Sequence, residues 1–406
     1  MRRRRFLRAL VAGAAGAAID PQRLAWPASP QRQAAGFLIP MDDAQPQPLR
    51  AYGVVYRALR NGGQADWLLN WRGGAFALEH APALDECLAR GVMTEPLDVA
   101  SVRGAEAAGE TFAVRLEVAP RIAVYAPPYA APWDDAVRLA LQYAEIPYEI
   151  VWDDALIGRG LAEIDWLHLH HEDFTGQYGK YGLGVRSSDW YRQAVRLDGE
   201  TAERHGFPDV AALKGAVAET VRAFVDRGGF LFAMCASTET LDVALGGSPP
   251  DPSRTLAFRN YRIEPAPVGP FSTIDGHRVN TPGRIPLGAV ELARFSPAVD
   301  PVAAMLTQDH ALAFPDWYGL TTSFHEETLK PGIVVLATSA EGLAKYVHGD
   351  HGEGTFSFLG GHDPEDPQHA VGDPATELAL HPRSPGYRLI LNNVLFPAAR
   401  QEARIT

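Results

Sequence analysis

The sequence predicts an α/β protein built on a mainly parallel sheet with helices on both faces. A smaller α/β module precedes this sheet, and a β-rich insertion interrupts it. Three observations carry the prediction. Between residues 121 and 245, short apolar runs alternate with segments of helical periodicity. That alternation implies parallel strands joined by crossover helices. Residues 246–330 break the rhythm with Pro- and Gly-rich sequence, and the rhythm returns from Gly332 to Leu395.

Before the first strand, Arg2-Arg3-Arg4-Arg5 runs into Phe6-Leu7-Arg8 and then a weakly apolar, Ala-rich stretch to Ala18. The stretch is too short to span a bilayer as a stable helix. The whole resembles a twin-arginine signal peptide over residues 1–18. It implies export to the periplasm or beyond, with the twin-arginine translocase as a transient partner. No Cys follows the apolar stretch, which argues against a lipid anchor. Residues 19–35 are rich in Pro, Gln and Ala and read as a linker.

The formal charge is -12 over 406 residues. Removing the leader takes away five arginines and no acid, leaving about -17. Such an excess argues against nucleic acid or an anionic membrane as a partner. No later segment is apolar enough to span a membrane. The two cysteines, Cys87 and Cys235, do not make a disulfide framework, although an oxidising compartment would permit one bridge.

The small module is expected over residues 36–118. Phe37 to Met41 reads as a buried strand. Leu49, Tyr52, Val55, Tyr56 and Leu59 lie on one helical face, which Asn61-Gly62-Gly63 ends. Ala65 to Trp71 reads as a strand. Arg72-Gly73-Gly74 is a turn, either structural or a nest for an anion. A helix over 82–90 and a strand near 95–99 follow.

The main domain is expected over residues 119–400. Its strands are predicted at Arg121 to Tyr125, Tyr148 to Trp152, Ile164 to His170 and Phe230 to Met234. Its helices are predicted at Trp133 to Ala144, Val210 to Asp226 and Ala236 to Leu245. Glu172 to Pro208 reads as an irregular lid whose aromatics, among them Phe174, Tyr178, Tyr181, Trp190 and Tyr191, either suit a sugar or peptide or pin the lid to the core. Further strands are expected near 332–339, 345–347 and 354–359, with a helix over 386–395.

Three features carry chemistry. First, the apolar run Phe230 to Met234 meets a polar helix start with Cys235 at the joint, which is the form of a nucleophile elbow. Small residues flank it at Ala233 and Ser237. The helix N-terminus would favour a thiolate, and amides from Ala236 onward would hold an oxyanion. Second, Leu359-Gly360-Gly361-His362-Asp363-Pro364-Glu365 delivers a base, His362, beside two acids that could orient it, Asp363 and Glu365. Third, His168-Leu169-His170-His171-Glu172-Asp173 ends a strand. His168, His170 and His171 are candidate ligands of a divalent metal such as zinc, and His170, His171, Glu172, Asp173 and Tyr178 are candidate substrate contacts. A second cluster, His348 to Glu353, is a weaker metal candidate.

The elbow Cys235 and the terminal His362-Asp363-Pro364-Glu365 resemble the class I glutamine amidotransferase-like superfamily. The resemblance implies a flavodoxin-like fold and a Cys–His–acid site over about residues 119–400. Leu359-Gly360-Gly361-His362 and Tyr387-Arg388-Leu389-Ile390-Leu391-Asn392-Asn393 are more similar to its trehalose-utilisation (ThuA-like) branch, which generally lacks the Cys. The glycines usual around the superfamily's elbow Cys are absent here. The whole chain also resembles exported bacterial proteins carrying the automatic label asparagine synthetase B, through Ile39-Pro40-Met41-Asp42-Asp43 and Trp67 to Gly74. That label's chemistry needs an N-terminal catalytic Cys and an ATP loop of Ser-Gly-Gly-x-Asp-Ser type, and neither is here.

The expectation is an exported hydrolase or amidotransferase-like enzyme acting on an amide or related acyl bond of a small molecule, saccharide or peptide, with no required cofactor. The alternatives are a metal-dependent enzyme at the His-rich strand end, or a non-catalytic saccharide- or peptide-binding protein.

Overall fold

In the computed structural model, residues 36–128, 135–170, 172–176, 187–247, 251–259, 262–264, 273–275, 277–279, 289–308, 310, 313–315, 322–366 and 374–399 are described. The leader, the linker, His171, Tyr178 and Tyr181 lie outside them. Among the described residues no helix is long and apolar enough to cross a membrane.

The first module contains β1 (Phe37–Ile39), α1 (Pro48–Arg60), β2 (Ala65–Leu68), β3 (Ala75–Leu78), α2 (Ala81–Arg90), β4 (Glu95–Pro96), α3 (Val99–Ala107) and β5 (Ala113–Leu116). Its five strands run in the order β4-β1-β3-β2-β5, and every pairing is antiparallel. The alternation rule therefore fails here: helices join β1 to β2, β3 to β4 and β4 to β5, yet none of these consecutive strands are neighbours, and the one paired consecutive connection, β2 to β3, is a turn. The strand predicted to reach Trp71 stops at Leu68, and Trp71 joins Arg72 and Gly73 in a 3₁₀ turn. Arg72 takes a left-handed φ of 49° and its guanidinium pairs with Asp42 and Glu95. The turn is thus a structural clasp rather than an anion nest. Val99 opens α3, which the sequence reading missed, with Asp98 capping two amides.

The main domain continues with β6 (Ile122–Tyr125), α4 (Ala136–Tyr143), β7 (Glu149–Val151), α5 (Asp153–Gly158), β8 (Trp166–Leu169), α6 (Asp189–Arg204), α7 (Val210–Asp226), β9 (Phe230–Met234) and α8 (Ser237–Gly246). The segment read as an irregular lid contains α6, a helix of 16 residues. Only Ala194, Asp198, Thr201 and Ala202 are buried on it, so the sequence shows no apolar stripe. After α8 come β10 (Arg262–Glu264), β11 (Thr273–Asp275), β12 (His277–Val279), β13 (Ala289–Leu292), α9 (Pro301–Thr307), β14 (Ala313–Pro315) and β15 (Thr322–Phe324). The chain closes with β16 (Val334–Ser339), β17 (Ala344–His351), β18 (Gly354–Leu359) and α10 (Pro385–Leu395).

The large sheet has 11 strands and is mixed. Five strands, β7-β6-β8-β9-β18, are parallel; β17, β16, β13 and β14 extend the β18 side antiparallel. The strands alternate their burial. Ile122, Val124, Trp166, Phe230 and Phe232 share one core with α1, α4 and α10. Ala123, Tyr125, Leu167, Leu231 and Phe358 share the other with α5, α7 and α8. That two-sided burial is why these strands read as continuous apolar runs.

Helix α10 is buried from Gly386 to Leu395 and joins the two modules. Arg388 donates to the carbonyls of Met41 (2.9 Å) and Gly73 (2.7 Å). The Tyr52 hydroxyl bonds Asn392 at 2.5 Å, and Trp166 Nε1 donates to Asn393 O at 3.0 Å. The Tyr387–Asn393 phrase is therefore a docking strip. Each buried Leu, Ile or Val on it contributes about 1.5–3 kcal/mol of burial.

On the other face, Lys214 of α7 is buried against Asp153 (2.7 Å), Asp198 (3.8 Å) and the Tyr125 hydroxyl (3.1 Å), with its ammonium 4.1 Å from the Trp152 ring centroid. Removing one partner of a buried pair strands the other charge. Lys214→Met should therefore lower unfolding free energy by about 3–5 kcal/mol. Lys214→Met with Asp153→Asn should recover part of it, as read by urea denaturation.

His348 of β17 bonds Ser357 Oγ at 3.0 Å and packs on Phe230 and Phe396. Burial pushes its imidazole down to about 3. The unfolded chain takes up that proton near pH 6.5, while the folded chain resists until about 3. Stability is therefore lost as pH falls through that window, at up to about 1.4 kcal/mol per pH unit. His348→Asn should flatten the fall in denaturation midpoint between about pH 6 and 4.

Candidate functional site

The parallel strands deliver their carboxyl ends to one edge of the sheet. The chain passes from β6 outward to β7 and then crosses back to β8, so strand order reverses between β6 and β8. Ligands in open α/β sheets bind at such a reversal. Here the edge collects Asp135 after β6, His168 and His170 at the end of β8, Cys235 after β9 and His362 after β18.

Cys235 has a left-handed φ of 49° and is fully buried. A non-glycine residue in this region costs about 1–3 kcal/mol and persists only where its surroundings impose it. Those surroundings are the two neighbouring strand ends. The Cys235 amide donates to Leu359 O at 3.2 Å, and the Ser237 amide donates to His170 O at 2.9 Å. The amides of Thr238 and Glu239 bond the carbonyls of Cys235 and Ala236. Of the amides predicted to hold an oxyanion, that of Ser237 is thus taken by the His170 carbonyl. Neither cysteine is in a disulfide. Cys87 sits in α2, where burial pushes its thiol up to about 12.

The His362 ring lies 4.6 Å from the His170 ring, centroid to centroid. The acids beside His362 have other partners. Asp363 is 1% exposed and accepts from the amides of Glu365 (2.8 Å) and Asp366 (3.2 Å), from Thr376 Oγ1 (2.6 Å) and from the Tyr387 hydroxyl (2.8 Å). The Glu365 carboxylate pairs with His381 Nδ1 at 3.0 Å. These bonds shape the loop that carries His362. Gly386 lets α10 approach the same loop, because a Cβ there would stand 2.2 Å from Pro364 Cβ.

Asp135 caps α4, with Oδ1 accepting from the amides of Val137 (2.9 Å) and Arg138 (3.1 Å). His168 Nε2 and His170 Nδ1 each lie 3.4 Å from that oxygen. Burial opposes ionisation of Asp135, but with positive charge on the two facing imidazoles its carboxyl is held well below the usual range. Asp135, His168 and His170 form a buried group with ligand atoms within 4.8 Å of one another, which could hold a metal ion. Glu172 Oε2 accepts from the His170 amide at 3.1 Å, and burial pushes this acid up to about 7. Asp173 accepts from the amide and hydroxyl of Thr175, so it organises a turn.

Sequence reasoning brought out His168, His170, Cys235 and His362 but missed Asp135, which it buried inside a helix begun at Trp133. The available signal was an Asp at helix N-cap position shortly after the first parallel strand. The weaker cluster does not join this edge. His348 is core, and His351, whose Nε2 lies 3.2 Å from Asp226, sits on the hairpin into β18, at the opposite edge.

No family model matches the chain, and no curated protein matches it. Among solved structures, a putative GMP synthase component from Thermoplasma acidophilum is 9% identical, with a TM-score of 0.35. The match covers 68% of this chain and 94% of that one. Cytoplasmic protein STM1381 from Salmonella typhimurium LT2 is 11% identical at TM-score 0.34, covering 69% and 100%. A β-galactosidase from Bacillus circulans sp. alkalophilus is 13% identical at TM-score 0.31, covering 61% of this chain and 29% of its own length. At these scores the likeness carries no functional argument.

Asp363→Ala would leave two amides and two hydroxyls without their charged acceptor. It should cost about 3 kcal/mol or more of unfolding free energy, measured by urea denaturation.

Proposed function

We propose that this chain is an exported hydrolase or amidotransferase-like enzyme acting on an amide or related acyl bond, with Cys235 as nucleophile and His362 as general acid–base. The observation that carries the reading is the left-handed backbone of Cys235 at a strand-to-helix turn on the carboxyl edge. Strain of this kind is retained where a side chain must be presented to a substrate.

In this reading the Cys235 sulfur attacks the carbonyl carbon and the Ala236 amide receives the developing oxyanion. His362 takes the thiol proton and returns it to the leaving amine, and water then cleaves the thioester. His170 and Glu172 line the same edge. A flavodoxin-like core belongs to the reading. The parallel strand order supports it, since β7-β6-β8-β9-β18 corresponds to 2-1-3-4-5. The likeness to the glutamine amidotransferase-like superfamily, and export through the twin-arginine route, belong to it also. The partner is a small molecule, saccharide or peptide. Cys235→Ser should lower release of ammonia or amine from a panel of primary and N-substituted amides by at least about a thousandfold. Unchanged turnover would overturn the nucleophile.

A second reading, a metal-dependent enzyme of the same fold, is favoured by the buried Asp135–His168–His170 group. Zinc or another divalent ion there would polarise a carbonyl or activate water.

A further inference from the structure

The hydrogen bonds around Asp135, His168 and His170 constrain what can lie between them. His168 Nδ1 is 3.0 Å from the Phe232 carbonyl oxygen. A carbonyl only accepts, so Nδ1 carries the hydrogen. In the neutral ring Nε2 is then a lone pair. It is buried without a hydrogen-bond partner and stands 3.4 Å from Asp135 Oδ1. His170 Nδ1 stands 3.4 Å from the same oxygen.

A lone pair facing a carboxylate needs a cation between them. A proton is one candidate, but charge-assisted N–H···O bonds close to about 2.7–2.9 Å. Two protons would also put two buried imidazolium rings 5.6 Å apart. A metal ion fits better. Two ligand atoms about 2.05 Å from a tetrahedral zinc ion are about 3.3–3.4 Å apart. Adjacent ligands of an octahedral ion at about 2.1 Å are only about 3.0 Å apart. The outer bonds agree. The Nδ1–H to carbonyl bond is the one that orients a metal-bound imidazole, and the α4 amides orient the carboxylate.

We propose that Asp135, His168 and His170 bind one zinc ion tetrahedrally, leaving its fourth position for water or a substrate carbonyl oxygen. The proposal rests on the metal-dependent reading and adds the choice of zinc over other divalent ions and its tetrahedral geometry. With one carboxylate and two neutral imidazoles the site keeps a net positive charge, which suits an acyl oxygen or an anionic intermediate.

The test is zinc and cobalt(II) titration of the full chain, prepared without a His tag and stripped with a chelator. The expected result is one zinc per chain and an intense visible cobalt spectrum of tetrahedral type. Asp135→Asn keeps an acceptor for the α4 cap, and His168→Gln is a second variant. Each should weaken zinc at least about 100-fold, beyond what outer-shell changes cost, with circular dichroism unchanged. Cys235→Ser should bind zinc as the parent does, which separates this proposal from the nucleophile. Equal zinc affinity in Asp135→Asn and His168→Gln, or loss of zinc in Cys235→Ser, would overturn the ligand set. A weak octahedral cobalt spectrum would overturn the geometry and leave the metal-dependent reading standing. No binding at micromolar zinc would overturn both.

Discussion

The parallel ladder β7-β6-β8-β9-β18 is the constraint on which the site depends. Parallel strands must all point the same way, so each crossover returns the chain to the amino edge and each strand releases its last residue at the other. Residues far apart in sequence, Asp135, His170, Cys235 and His362, therefore reach one edge. The reversal between β6 and β8 parts the helices there and leaves room for polar groups. The ladder also explains the strain at Cys235, since its amide must meet Leu359 while the next turn's amide meets His170.

Two kinds of polar group surround this edge, and they differ in purpose. Arg388, Asn392, Asn393 and Tyr52 satisfy one another or backbone carbonyls and fix α10 between the modules. Lys214 with Asp153 and Tyr125 does the same on the other face. At the edge, His168 is bound less completely by its own chain. His168 keeps a buried nitrogen for which the protein supplies only a distant carboxylate. Buried polar atoms of this kind are rare in folded proteins and call for a ligand or a chemical role.

Much of the main domain was legible in the sequence because its strands are buried on both faces and its helices on one. Phe230–Met234 and Val210–Asp226 stood out for that reason. The first module was less legible. Its strands are two to four residues long, and nothing in such short runs distinguishes antiparallel from parallel pairing. Helix α6 was hidden by its charged surface. Of the site, the strand-end residues could be found by position. Asp135 showed only as a helix N-cap, and its meeting with His168 and His170 depends on a crossover that no local pattern gives. The partners of Asp363 and Glu365 depend on Thr376, Tyr387 and His381, which no local pattern connects to them.

In the proposed function, the carboxyl edge couples Cys235 and His362 as one chemical unit. The pH dependence of Cys235 alkylation by iodoacetamide, followed by mass spectrometry in the parent and in His362→Gln, tests it most directly. If the imidazole partners the thiol, the parent's rate rises at a pH well below the free-thiol value of about 8.5 and the variant's moves up toward it. An inflection at or above about 8.5 in both proteins would contradict the claim.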